Sequence, residues 1–566
     1  MTIRTLLVSL LARPAVMRPA TWLLGLVLVS TLVVRASPTI AHQAEPAPPP
    51  VATAPADATA PAPAAFEPSE HWYVLELLGQ RAGHARAWSV LRNGNIVTGM
   101  DMNMEVKRGR DSVKISMNTE FVETPDGTPV STRKVMNTGT SEQIEEGLFT
   151  PDGITITSTQ GKVQRTRTAP RPEGQWLTPD AARRQIADAL RRGDETITTR
   201  TLDPSSGTKV LTISRKVLER TTAQALGKAV PAVKWESVVD TFGGLKATEL
   251  VAPDTGVPIR TEMNMGFLKM TMIQADKDLA RSRLSPPELL NSTLVIPTGK
   301  IDDPRTPTRR SYVLRAKEGD LPDLPSSPTQ RVERLDATSV RVIVDPMAID
   351  AAAPEMLNDA ALLAPLLDSS VSLRADDPEI AAFAADALKR LPPDASDQDK
   401  AERLRRRVHS FIENKDFSVG FATASETVRT RTGDCTEHAV LLAAALRSAK
   451  LPARVVSGLV YLYFPDAKRE VFGFHMWAQA LIRTPEGAQW VHLDATLPDT
   501  AYDGTHIALS LSNLNDDDTQ NFLVTLAPII GRLAIEIEEA PAPAVAPAPA
   551  PAAPAVAPVP EKDAAP

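Results

Sequence analysis

Cysteine is almost absent: Cys435 is the only one in 566 residues. A single thiol excludes an internal disulfide framework, so the fold must be held by its own core. Aromatic residues are sparse at 4%. No basic stripe is interleaved with them, which argues against nucleic acid as a partner. Long apolar runs are missing too. The best candidate, Thr21–Val34, is shorter than the roughly 20 residues that span a bilayer comfortably. His71 and His84 have no partners at metal-ligand spacing, and no acidic loop has calcium spacing. Neither a metal nor an organic cofactor is therefore expected. The 62 basic and 69 acidic residues give a net charge of −7, ordinary for a soluble protein.

Proline, by contrast, is plentiful, with 49 residues. Most of the excess lies in two Ala/Pro-rich segments, residues 42–65 and 540–566, which cannot bury a core and read as extended spacers. Ahead of the first, residues 1–41 combine Arg4, Arg13 and Arg18 with the short apolar run and small residues near Ala36 or Ala41. This reads as a secretory signal, with an uncleaved membrane tether as the alternative. The expected location is periplasmic or extracellular, with anchoring to the inner membrane left open.

Between the spacers the pattern changes twice. Residues 66–281 alternate apolar and polar side chains in segments such as His71–Leu78, Val97–Val106 and Ser112–Thr124, broken by Asn93-Gly94, Asp126-Gly127 and Asp152-Gly153. One helix interrupts them, with Thr178 as its N-cap and Pro179 at its first position. An antiparallel β-rich domain cradling one helix is expected. Met100, Met102 and Met104 alternate, as do Met263, Met265 and Phe267. They read as ordinary sheet core, with a site for a lipid or apolar peptide as the alternative. Residues 282–375 form a Pro-containing connector with a small β segment. Residues 376–539 mix amphipathic helices with strands, so the chain as a whole is expected to be α+β. In the helix Ser396–Glu413, the basic cluster around Arg405 reads as a solvated face. Ser425 is expected to cap a short helix before the Gly433 turn.

The chemistry concentrates between Arg431 and Thr496. Cys435 follows Gly433-Asp434 and opens an apolar helical run, in which Val440, Leu441, Ala444 and Ala445 recur at helical spacing. Free N–H groups and the positive dipole end favour a thiolate there. His475 lies in the alternating segment FGFHMWAQALI, and Asp494 in AQWVHLDATLP beyond the turn Pro485-Glu486-Gly487. Antiparallel neighbours can place His475 beside Asp494. Cysteine as nucleophile, histidine as base and aspartate as orienter of the imidazole form an acyl-transfer set. His438 reads as a neighbour that packs or hydrogen-bonds near the site, His492 as a supporting or core residue, and Trp477 and Trp490 as core or cleft wall.

The motifs RTGDCTEHA, LPARVVSGLVY, FHMWAQA and WVHLDATLP resemble, in that order, the transglutaminase-like superfamily of papain-related cysteine enzymes. The resemblance covers roughly residues 400–500 and departs from many relatives at Gln479 and Ala495. It implies a papain-like α+β domain over 376–539, with Cys435 on a helix N-terminus and His475 and Asp494 on successive strands. It also implies an exported cysteine acyl-transfer enzyme acting on peptide or glutamine amides, whose thioester goes to water or to an amine. A protein or peptide is the expected partner. The rival reading from another class is a non-catalytic envelope binding or scaffold protein that carries the same module.

Overall fold

The computed structural model describes residues 66–540, apart from 110, 139–141, 161–162, 207, 240–244, 266–267, 416–420, 465–467, 500–501 and 516–528. The signal or tether segment, the first Ala/Pro spacer and the tail beyond Ala540 lie outside the described residues. An N-terminal β-sheet region with one long helix is followed by a C-terminal α+β region.

The first region is a single 14-stranded antiparallel sheet. Eight strands follow one another as a meander from Ser69–Leu77 to Val163–Ala169, and six more run from Thr196–Leu202 to Leu268–Ala275. The first and last strands pair with each other, for example Leu75 with Met272, and so join the two halves. The expected helix is Pro179–Arg192, but Thr178 does not cap it with its side chain. Its hydroxyl donates to the buried carboxylate of Glu123 instead, and Glu123 accepts the N–H of Asp180 as well. A longer acceptor from the sheet thus replaces the local cap. The helix packs Ala189 and Leu190 on Ile197, Val233, Trp235 and Val251. Met102 and Met104 are sheet core, while Met100 and Met117 line a cavity of about 360 Å³ between the sheet and the start of the helix. Phe267 lies outside the described residues.

The second region holds two smaller antiparallel sheets. One has the spatial order Asp350–Ala351, Gly487–Leu493, Arg469–Thr484, Ala453–Phe464, Ile507–Ser512. The other joins Gln330–Arg334, Ser339–Val344, Arg310–Ala316 and Leu533–Glu538. Helices Pro378–Leu388, Asp397–Phe411 and Ala424–Thr430 surround the helix Cys435–Ser448. That helix is buried on every side rather than along one face, with Ser448 as its sole residue outside the core. Its alanines allow this, since small side chains let neighbours approach all round the axis.

The regions share one apolar core, running from Tyr73, Met104 and Met117 through Leu290 and Leu314 to Ala439 and Leu442. Each leucine or methionine among them contributes roughly 1.5–3 kcal/mol when fully buried. Polar contacts stitch the same boundary. Gly109 N–H donates to Glu288 at 3.0 Å, Arg165 Nη1 to the Ser369 carbonyl at 2.9 Å, and Thr138 Oγ1 to the Phe421 carbonyl at 3.4 Å.

Candidate functional site

Cys435 occupies the first position of its helix, as the sequence suggested, but the cap is more elaborate than a Gly-Asp turn. The Asp434 carboxylate accepts from Thr436 N–H at 2.9 Å, while Glu437 reaches back to Asp434 N–H at 2.8 Å, completing a capping box. Glu437 also accepts from Ala422 N–H at 2.9 Å, tying the preceding helix to the same point. Gly433 is required here because a Cβ would lie 2.3 Å from the Cβ of Glu437. Thr423, not Ser425, caps the helix Ala424–Thr430; Ser425 instead donates to Asp377 at 2.7 Å.

The acidic side chains around the thiol change its chemistry. Cys435 is 1% exposed. Burial pushes the thiol well above its ordinary range, the Asp434 charge adds to this, and a hydrogen bond from the Met476 backbone acts against it. In this conformation burial opposes the thiolate that the helix end would favour. Burial and Asp434 likewise push Glu437 well above the usual carboxylate range.

His475 and Asp494 are brought together. His475 Nε2 donates to Asp494 Oδ2 at 2.7 Å, leaving Nδ1 as the ring nitrogen that Asp494 does not hold. Gly458, opposite His475 in the sheet, lets the strand Ile507–Ser512 and the Trp477 ring come close, since a Cβ there would meet the Ile507 carbonyl at 2.1 Å. Asp494 Oδ1 accepts from Thr496 N–H at 2.7 Å and Thr496 Oγ1 at 2.6 Å. Burial works against this carboxylate, yet His475 and His506 hold it well below its usual range. Among the described residues, no hydrogen bond joins the Cys435 sulfur to His475. Nor does the sulfur fall within the buried cluster His475, Asp494 and His506, whose ligand-type atoms lie within 4.8 Å of one another.

Three residues that sequence reading passed over complete the site. His506 Nε2 donates to Asp494 Oδ2 at 3.2 Å, the oxygen that also serves His475. Arg405, read as part of a solvated face, is fully buried. Its guanidinium donates to the carbonyls of Asp494, Leu497 and Pro498, with Glu402 as its counter-ion at 2.7 Å. The signal for it was its spacing from Ala401, Leu404 and Val408, which put it beside the apolar stripe. Arg108, from the N-terminal sheet, donates to Asp434 Oδ2 at 2.8 Å, with both side chains at most 5% exposed. No local pattern could mark that residue, since its partner lies hundreds of positions away.

The remaining candidates have structural partners. His438 Nδ1 donates to the Asp434 carbonyl at 2.6 Å, and burial lowers its pKa to about 4. His492 accepts from Trp477 Nε1 at 2.9 Å and faces Gln479 and Thr329, without reaching Asp494; burial lowers its pKa to about 3. Gln479 accepts from Arg454 Nε at 2.8 Å. Trp477 is fully buried and Trp490 lies in a small core with Leu366 and Leu481.

Residues 384–495 match the model of the transglutaminase-like superfamily. The match contains the helix of Cys435 and the strands leading to His475 and Asp494, and leaves the 14-stranded sheet outside it. No curated protein matches the chain. Among solved structures, a β-barrel-like protein of unknown function from Brucella abortus is similar at 14% identity and a TM-score of 0.29, over 37% of this chain and 95% of that one. The periplasmic domain of TgpA from Pseudomonas aeruginosa, bound to ethylmercury, is similar at 16% identity and a TM-score of 0.22, over 34% of this chain and 91% of that one. Among the described residues no helix is long and apolar enough to cross a membrane.

Proposed function

We propose that the chain is an exported envelope protein whose transglutaminase-like module, in the conformation described, is a closed binding or scaffold element rather than a working catalyst. The observation that carries this reading is the placement of Cys435: 1% exposed and flanked by buried acids, with burial opposing its ionisation. Export rests on the N-terminal sequence, and the cavity of about 360 Å³ beneath the long helix supports a binding role for the sheet. The decisive variant is Cys435→Ala in the full chain. An unchanged envelope phenotype is expected on this reading, and loss of function in a normally folded variant would overturn it.

A second reading is favoured by the 2.7 Å bond between His475 and Asp494. Once the thiol is uncovered, Cys435 would pass its proton to His475 and attack an amide carbonyl, and His475 would return the proton to the departing amine. The thioester would then pass its acyl group to water or to another amine. Asp494 would hold the imidazole in place and support its charged form. Cys435, His475 and Asp494 are the residues on which this reading stands, and a protein or peptide amide is its substrate. The same Cys435→Ala variant decides between the two.

A further inference from the structure

His506 belongs to neither the sequence motifs nor the expected site, yet it makes two bonds that bear on Asp494. Its ring is fully buried, on the residue just before the edge strand Ile507–Ser512. Nε2 meets Asp494 Oδ2 at 3.2 Å. Nδ1 meets two acceptors, Asp503 Oδ1 at 3.1 Å and the Asp503 carbonyl at 3.3 Å. Among the described residues the single donor that reaches Nδ1, the Asp503 N–H, is farther, at 3.4 Å. An imidazole whose two nitrogens both point at carboxylates satisfies them only by carrying a hydrogen on each. Asp503 is itself fixed by Arg305 Nη1 at 2.8 Å and by Thr505, whose N–H and Oγ1 bond it at 2.8 and 2.6 Å.

We propose that His506 is a positioning residue: an imidazolium, charged at neutral pH, that clamps Asp494 through the same oxygen that holds His475 and shares its negative charge. The clamp deepens the acyl-transfer reading but is measured without it. A lone aspartate would lend its whole charge to a proton on His475. Here the same oxygen already faces a cation, so its support for that proton is divided. The other groups facing the cluster are neutral or more distant. Tyr502, tilted, and Trp477, edge-on, pack around His506 with ring centroids 5.0 and 5.1 Å away, and His492 lies against both of them. Lys415, His409 and His438 feel the Asp494 charge without bonding its carboxylate, and Arg405 binds the Asp494 carbonyl. Separations of 2.7 and 3.2 Å between the two imidazoles and Asp494 are those of hydrogen bonds, so the cluster reads as a proton-sharing chain and not as a metal centre.

The test is imidazole nitrogen–proton NMR on the full chain, whose 8 histidines make assignment by single substitution practical. His506 is expected to show two N–H signals, unchanged from pH 6 to pH 8. In His506→Gln, which keeps a donor but drops the charge, the Nε2 proton signal of His475 is expected to move downfield, because Asp494 then bonds that proton with its charge undivided. His506→Asn gives the same reading through a shorter side chain if the first variant fails to fold. A single N–H on His506 at neutral pH would overturn the proposal, with Nδ1 then accepting from Asp503 N–H. So would an unmoved His475 Nε2 proton signal in a folded variant, or signals of His475 and His506 that shift together with stoichiometric zinc. None of these readouts uses Cys435. An inert thiol would therefore count against acyl transfer and leave the clamp standing.

Discussion

Replacing Arg108 by methionine should uncover the thiol. The pair Arg108–Asp434 is 2.8 Å long, with side chains 2% and 5% exposed. Methionine keeps much of the apolar stem and removes the charge, so Asp434 is left buried and unpaired. Breaking one side of such a pair typically costs roughly 3–5 kcal/mol. Asp434 cannot swing away, because its carboxylate caps Thr436 N–H and its own N–H is held by Glu437. Relief then comes from protonating Asp434 or from parting the sheet from the Cys435 helix so that water enters. If parting absorbs about 3 kcal/mol of the loss, the open population rises roughly a hundredfold, at about 1.4 kcal/mol per decade. The assay is the rate at which iodoacetamide labels Cys435 in the native full chain, for wild type, Arg108→Met and Arg108→Lys. We expect very slow labelling in wild type, a rise of about two orders of magnitude in Arg108→Met, and a smaller one in Arg108→Lys. A urea midpoint that falls in Arg108→Met while the labelling rate stays fixed would refute the reasoning, since the lost bond would then weaken the fold without opening this boundary.

Stability should peak at mildly acidic to neutral pH. His438 and His492 have folded pKa values lowered to about 4 and about 3, so below about 6.5 the unfolded chain takes up protons the folded one refuses, and stability falls with pH across that window. His506 is raised to about 9, with Asp503 and Asp494 overcoming its burial, so its contribution is full below about 6.5 and lost as pH rises through 9. Urea midpoints measured from pH 4 to pH 10 should trace both limbs, and His506→Gln should flatten the alkaline one. Arg405→Met should cost roughly 3 kcal/mol, because three carbonyls after the Gly487–Leu493 strand, those of Asp494 and Leu497 buried, lose their donor, while Glu402 keeps Arg406 as a partner. A urea midpoint within error of wild type would show that water replaces the guanidinium without loss.

Strands that bury one face were plain in the sequence. Asp111–Glu123, buried at alternate positions, is the expected strand Ser112–Thr124 displaced by one residue. The run from Glu142–Thr150 to Val163–Ala169 was not seen, because EQIEEGLFT and VQRTRTA offer little apolar content to either face. Those strands are set by pairing with their neighbours, which no local window reports. The nearness of His475 to Asp494 was legible because a short turn links their strands. The state of Cys435 was not, because it depends on buried acids and on Arg108 arriving from a distant sheet. Arg405 was misjudged for a related reason: three adjacent arginines look solvated until a set of bare carbonyls claims one of them.

The seam in the large sheet sets an order in time. Ser69–Leu77 finds Gln80–Arg92 at once, but its other edge waits for Leu268–Ala275, the last strand made. Closing so long a loop is slow, and until it happens a strand edge stands open to wrong partners. In a chain that emerges N-terminus first, Arg108 is in place before Asp434 exists as part of a helix. The completed sheet can then act as a mould on which the Cys435 helix settles, so the thiol would be sheltered from its first moments of structure.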